Sequence, residues 1–198
     1  MPIDFVGFTA DRRITGAMPL ADDRLSDMLN SVARIVIRDA TVSDLVEGNP
    51  PLRGDVTVPV GELIVVVGTG RRGSESQRIR TVVRRVTIGL GRYVVAGSLH
   101  VPADEADLPP SLDPAAVLAG RDILVPITDA AITYDSATSA ATEQHDTLLV
   151  NRSRAMWIEV APPDKPEADA DADDDDDEEE SSFSRTNYVK DFTGTVAD

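Results

Sequence analysis

The sequence predicts an all-β, mainly antiparallel body over residues 1–161, followed by a disordered acidic C-terminal tail. Three observations carry that expectation. Short runs rich in β-branched residues recur between Gly, Pro, Asn and Asp turn signals, the spacing of small antiparallel sheets and barrels. Only two short segments have helical periodicity. The charge is lopsided: of a formal net charge of −16, −11 falls on residues 162–198, where 14 acidic side chains face 3 basic ones, leaving −5 on the body.

In chain order, the strand signals are centred on residues 35–37, 63–67, 82–83, 93–95, 123–125, 148–150 and 156–158. Val and Ile dominate them, and their stiff χ1 packs well on a pleated surface. The first helical signal covers residues 23–30, where Leu25, Met28 and Leu29 fall at i, i+3, i+4 and Asp22 or Asp23 can cap. The second covers residues 113–120, with Asp113 as N-cap, Pro114 as first helical residue and Gly120 as stop. Helices this short do not persist alone and must lie against the sheet.

The two helical signals expose an internal duplication. Strand, strand, short helix, strand, strand describes residues 1–78, and the same order describes residues 79–161. Gly16 matches Gly97, Asp39-Ala40 matches Asp129-Ala130, and Met28 falls opposite Leu118. Each unit is expected to be a barrel or meander whose thin core gains from packing on its twin, so that both can share one compact domain.

Gly16 and Pro19, the segment Arg24-Leu-Ser-Asp-Met-Leu-Asn30, and an apolar strand ending in Arg38-Asp-Ala resemble a group of small bacterial β domains of unknown function. That resemblance implies a fold similar to Sm-like or SH3-like barrels. The second half carries Asp113-Pro-Ala-Ala-Val-Leu in place of the helix motif. No activity, cofactor or site residue comes with the resemblance.

Composition excludes several classes of function. Without cysteine there is no disulfide scaffold, thiol nucleophile or thiolate zinc site. No apolar run approaches the about 18 residues that cross a bilayer as a helix, and Met1-Pro-Ile-Asp-Phe has no secretory character, so a cytoplasmic protein without membrane insertion is expected. The tripeptide Arg53-Gly-Asp55 and the sequon Asn151-Arg-Ser153 would have meaning only outside the cell. Arg is used almost to the exclusion of Lys, which suits a GC-rich bacterial genome.

Five constellations invite a functional reading. Gly68-Thr-Gly-Arg-Arg-Gly73 follows an apolar strand and fits G-x-G-x-x-G. It lacks the βαβ setting and the ribose-binding acid of a dinucleotide site, and a long hairpin turn accommodates the same glycines. Arg71, Arg72, Arg78, Arg80, Arg84 and Arg85 form a candidate anion- or tail-binding strip. The overall acidity and the lack of interleaved aromatics do not favour nucleic acid there, and a solvated strand face that discourages edge pairing needs no ligand. In the tail, Phe183, Tyr188 and Phe192 after a proline-led acidic run (residues 162–180) have the layout of a docking peptide over residues 181–198, acting in cis, in trans or not at all. His100 and His145 with their neighbouring carboxylates are the only possible nitrogen ligands for a metal. Asp39 and Asp129 form a symmetry-matched carboxylate pair, for which strand-end turn bonding is a sufficient role.

No nucleophile, metalloprotease or phosphate-loop motif occurs. The expectation is a non-enzymatic binding or scaffold module without cofactor, self-associating through strand edges and displaying a C-terminal docking peptide. The alternative is a regulatory anion- or nucleotide-binding protein using residues 68–85.

Overall fold

The computed structural model describes residues 2–20, 24–68, 81–102, 118, 122–136 and 139–161. The strands are β1 (Pro2–Phe8), β2 (Arg12–Pro19), β3 (Arg34–Asp44), β4 (Leu52–Pro59), β5 (Val65–Val67), β6 (Thr81–Leu90), β7 (Tyr93–Pro102), β8 (Leu124–Asp135), β9 (Ala140–Asn151) and β10 (Trp157–Val160). A helix, α1 (Leu25–Ser31), lies between β2 and β3 in the chain. Single 3-10 turns, Val60–Glu62 and Arg152–Arg154, follow β4 and β9. All the strands join one antiparallel sheet in the order β10-β6-β7-β8-β9-β5-β1-β2-β3-β4. The all-β antiparallel class expected from the sequence is therefore what the chain adopts.

Two apolar clusters fill the interior. One is built mainly from the first half, with Phe5, Ile14, Met18, Leu29, Ile37 and Leu63 among its members, and it also takes in Leu124 and Leu149 from β8 and β9. The other is built mainly from the second half around Ile88, Tyr93, Val95, Ile127 and Ile132, and it takes in Phe8, Leu45, Ile64, Val65 and Val67 from the first. Each half lends side chains to the other's core, so neither buries its apolar surface alone.

The halves repeat one another at the level of single hydrogen bonds. The β1–β2–β3–β4 meander matches β6–β7–β8–β9. After the first 3-10 turn, Leu63 N donates to Val60 O and Ile64 N to Phe8 O; after the second, Ala155 N donates to Arg152 O and Met156 N to Gly89 O. The turns are held alike, by Val60 N on Ala33 O and Arg152 N on Ile123 O. Gly16 and Gly97 each sit where the ladder to the next strand slips by one residue. A Cβ on Gly16 would lie 2.7 Å from Arg38 O and Ile37 Cγ2; on Gly97 it would lie 2.9 Å from Thr128 O and 2.6 Å from Ile127 Cγ2. Backbone approaches backbone there, which only glycine permits.

Opposite those glycines stand Asp39 and Asp129, with φ of 49° and 47°, the only described non-glycine residues in the left-handed region. Both lie inside long strands, at bulges in the ladders of β3 with its neighbours and of β8 with β7, and not at strand ends as the turn-bonding expectation had it. Asp tolerates left-handed backbone better than most residues, and a bulge supplies the demand.

Two further expectations change. A hairpin turn through residues 68–80 would make the flanking strands partners. Instead β5 pairs with β1 and β9, while β6 pairs with β7 and β10. Residues 81–90 are strand, as the β-branched run at 82–83 predicts. The first helix begins at Leu25 with Arg24 at the N-cap position and no side-chain cap bond, and it buries Leu25 and Leu29. The second expected helix lies outside the described residues except Leu118, which is buried in the second cluster.

Because the contacts at Gly97 involve backbone, Gly97→Ala should destabilise the protein by about 1–3 kcal/mol. Gly61→Ala, with open space around the new Cβ, should stay within about 0.5 kcal/mol of the parent. Urea unfolding of the two variants checks this, and equal stabilities would contradict the close-approach account.

Candidate functional site

The residues singled out in the sequence do not converge on one site. Arg84 and Arg85 are consecutive on β6, opposite Leu99 and Ser98, and so point to opposite faces of the sheet. The arginine strip is thus divided between two faces where it is described; Arg71, Arg72, Arg78 and Arg80 lie outside the described residues, as do Phe183, Tyr188 and Phe192. His100 binds Thr128 Oγ1 through Nε2 at 2.9 Å. His145 sits 3.4 Å from the Glu143 carboxylate on the neighbouring part of β9. No group of three or more potential ligands gathers to hold a metal among the described residues. Asp129, His145 and Asp146 border an open polar depression beside Gly68, whereas Asp39 accompanies its own bulge, where its N–H donates to Asp55 Oδ1 at 3.1 Å. The matched carboxylates are each part of a separate bulge.

What the structure does bring together is a junction between the halves. Val65, Val66 and Val67 of β5 pair with Val150, Leu149 and Leu148 of β9. Gly68 N donates to Thr147 O and Asn151 N to Ile64 O, each at 2.9 Å, extending the ladder at both ends. Asn151 is 1% exposed; its side chain donates to Leu63 O at 2.8 Å and accepts from Ser153 N at 3.0 Å, so the buried amide closes the turn over the junction.

Phe8 of the first half inserts beside this ladder into the second. Its ring meets Tyr93 at 5.7 Å and Tyr134 at 5.3 Å, the tilted and edge-on geometries aromatic pairs prefer. The Tyr93 hydroxyl donates to Thr9 O, and Tyr134 donates to Glu143, which also receives Arg13 from β2 at 3.3 Å. Asn30 adds a second tie: its amide exchanges bonds of 3.1 and 2.9 Å with the Leu124 backbone, standing in for a strand partner. None of these cross-half contacts has a local sequence signature. Only the scarcity of aromatics, with Phe8, Tyr93 and Tyr134 among eight in the chain, marks them as sites of concentrated apolar area.

At the far ends of the sheet stand β4 and β10, each paired on one side only among the described residues. A cavity of about 370 Å³ opens beside β4, lined by Arg12, Ile14, Val42, Leu52, Val56 and Val58 among others. On β10, Trp157 lies across Gly89, where an added Cβ would strike the indole, yet 46% of the residue faces solvent. Neighbouring Met156 is exposed as well. These two edges and the cavity are open among the described residues, as is the depression beside Gly68.

Neither protein-family models, nor curated proteins, nor solved structures give a match to this chain.

Burial, and then the hydrogen bond to Glu143, raise the Tyr134 phenol to about 12 from its ordinary value of 10.0; burial raises Tyr93 as well. Both phenols are neutral in the folded junction. A raised folded value means this contribution is complete below pH 10, where both states are neutral, and is lost as pH climbs from there towards 12. Stability measured across that range should fall, and Tyr134→Phe should flatten the fall; an unchanged slope would show that the phenol is not buried at the junction.

Proposed function

We propose that this protein is a self-associating structural module: two barrel-like units, related by duplication, that present complementary strand edges to further copies of the chain. The observation that carries this reading is the equivalence between the junction inside the chain and the edges at its ends. The repeat makes β9 the counterpart of β4 and β5 the counterpart of β10. Inside the chain β9 and β5 are paired; β4 and β10 are the same two kinds of strand, and among the described residues each has one free side. The chain thus carries one completed junction and the two halves of another.

The unpaired backbone groups support the reading. Val60 N bonds Ala33 O and Ala161 N bonds Arg85 O. Antiparallel ladders alternate inward- and outward-bonding residues, so Asp55 and Thr57 of β4, and Ile158 and Val160 of β10, turn their backbone groups away from the sheet. Edges are normally blunted by charge, proline or brevity. Pro59 and the four-residue length of β10 limit indiscriminate pairing without removing the central donors and acceptors. The separate clusters of core residues, one centred in each half, support barrel-like units of the Sm-like or SH3-like kind. A docking peptide at Phe183, Tyr188 and Phe192 belongs to the same reading, on the part of the sequence that follows β10.

Light scattering coupled to size exclusion should show mass rising with concentration. Ile158→Pro removes an outward N–H while leaving the bonds to β6, and should reduce the mass to that of one chain with the fold retained. A monomer at every concentration in the parent protein would end the proposal.

A further inference from the structure

The geometry points to Trp157 of one copy as the anchor that fills the β4-side cavity of the next, in a head-to-tail contact that repeats the junction within the chain. This rests on the self-association reading and specifies its chemistry.

The repeat supplies the correspondence. Ile64 N on Phe8 O matches Met156 N on Gly89 O, so Gly89 holds the place of Phe8 and Trp157 that of Val65. The pairings agree: Phe8 stands opposite Val65, and Gly89 opposite Trp157. In the first half, Phe8 and Val65 together project from the β1–β5 edge into the other half's core, both fully buried. In the second half glycine has removed one of these side chains, and the indole of Trp157 lies across the vacated position. One large aromatic thus stands where a phenylalanine and a valine stand at the internal junction, but it is half exposed because no described residue covers it.

The receiving surface corresponds as well. Phe8 lodges in the cluster that holds Tyr93, Val95 and Ile132; Gly16 matching Gly97 and Asp39 matching Asp129 place Arg12, Ile14 and Val42 at those positions in the first half. Those three residues line the cavity beside β4. Phe8 meets Tyr93 edge-on within the chain; the corresponding partner for Trp157 is the half-exposed Arg12 guanidinium, a cation suited to an indole face. Transferring the internal register puts Trp157 opposite Val58, Ile158 opposite Thr57 and Glu159 opposite Val56, with Val160 N donating to Asp55 O. Glu159 is exposed and would arrive at a cavity also bordered by Arg53.

The contact between copies is weaker than its internal counterpart. Asn151 corresponds to Pro59, which has neither the N–H that binds Ile64 O nor the amide that binds Leu63 O. Association is accordingly reversible and concentration dependent.

Trp157 is the only tryptophan, so the full-length protein reports on itself. With rising concentration its emission should shift to the blue and its iodide quenching should fall, in step with mass by light scattering. Trp157→Ala should weaken association about thirtyfold, as loss of a central aromatic anchor does. Leu52→Glu, at a cavity residue 64% exposed and so tolerant of charge, should do the same. Mixed together, the two variants should form a one-to-one dimer that grows no further, because one keeps the cavity and the other keeps the indole. If mass rises with concentration but emission stays fixed and both variants assemble like the parent, the anchor is wrong while edge pairing stands. If the parent never associates, both readings fail.

Discussion

A three-residue strand holds this sheet together. Val65–Val67 is the sole described ladder by which strands of the first half pair with strands of the second, and all three side chains are buried. Three residues of backbone pairing are a slender joint. It holds because Phe8, Leu45 and Ile64 follow the strand into the second cluster, Leu124 and Leu149 reach back into the first, and Asn151 closes the turn alongside. Separating the halves would expose two incomplete cores at once, so the joint and the cores stand or fall together. The high phenol value of Tyr134 is one consequence, since its ring lies in the apolar seam so formed.

Much of the architecture was legible in the sequence because it rests on local chemistry. The β-branched runs became strands, the Leu25–Leu29 stripe became a helix with those two leucines buried, and matched glycines and aspartates marked corresponding points in two halves. Strand partnership was not legible. Adjacent strands with a glycine-rich connection suggest a hairpin, yet β5 and β6 end up in separate parts of the sheet, because β5 is the last strand of the first repeat and β6 the first of the second. The arginine strip shows a related limit at its two described members, Arg84 and Arg85. Clustering along the chain becomes clustering in space only on a helix face or a loop, and a strand sends Arg84 and Arg85 to opposite sides. The cavity beside β4 could not be read at all, since its lining comes from β2, β3 and β4 with no shared pattern.

The two repeats carry different residues at the internal junction and at the corresponding positions proposed to meet a second copy. Phe8 against Gly89, Val65 against Trp157, and Tyr93 against Arg12 all fall at the internal junction or its counterpart in the other half, while Gly16 and Gly97 or Asp39 and Asp129, which shape the sheet itself, are unchanged. Residues that set backbone geometry have no substitute. Residues that fill an interface can be exchanged as long as the facing surface is complementary.

The left-handed aspartates also govern how each long strand is inscribed. Along β3 the buried residues run Ile35, Ile37, Ala40, Val42, and along β8 they run Ile127, Ala130, Ile132, Tyr134. Across each aspartate the alternation by two is broken by a step of three at the bulge, and in β8 a further step of three separates buried Leu124 from Ile127. The extra residue resets the phase of the pleat. Each strand is therefore written in two reading frames spliced at an aspartate, and removing that one residue would turn every side chain beyond it from the interior to the water.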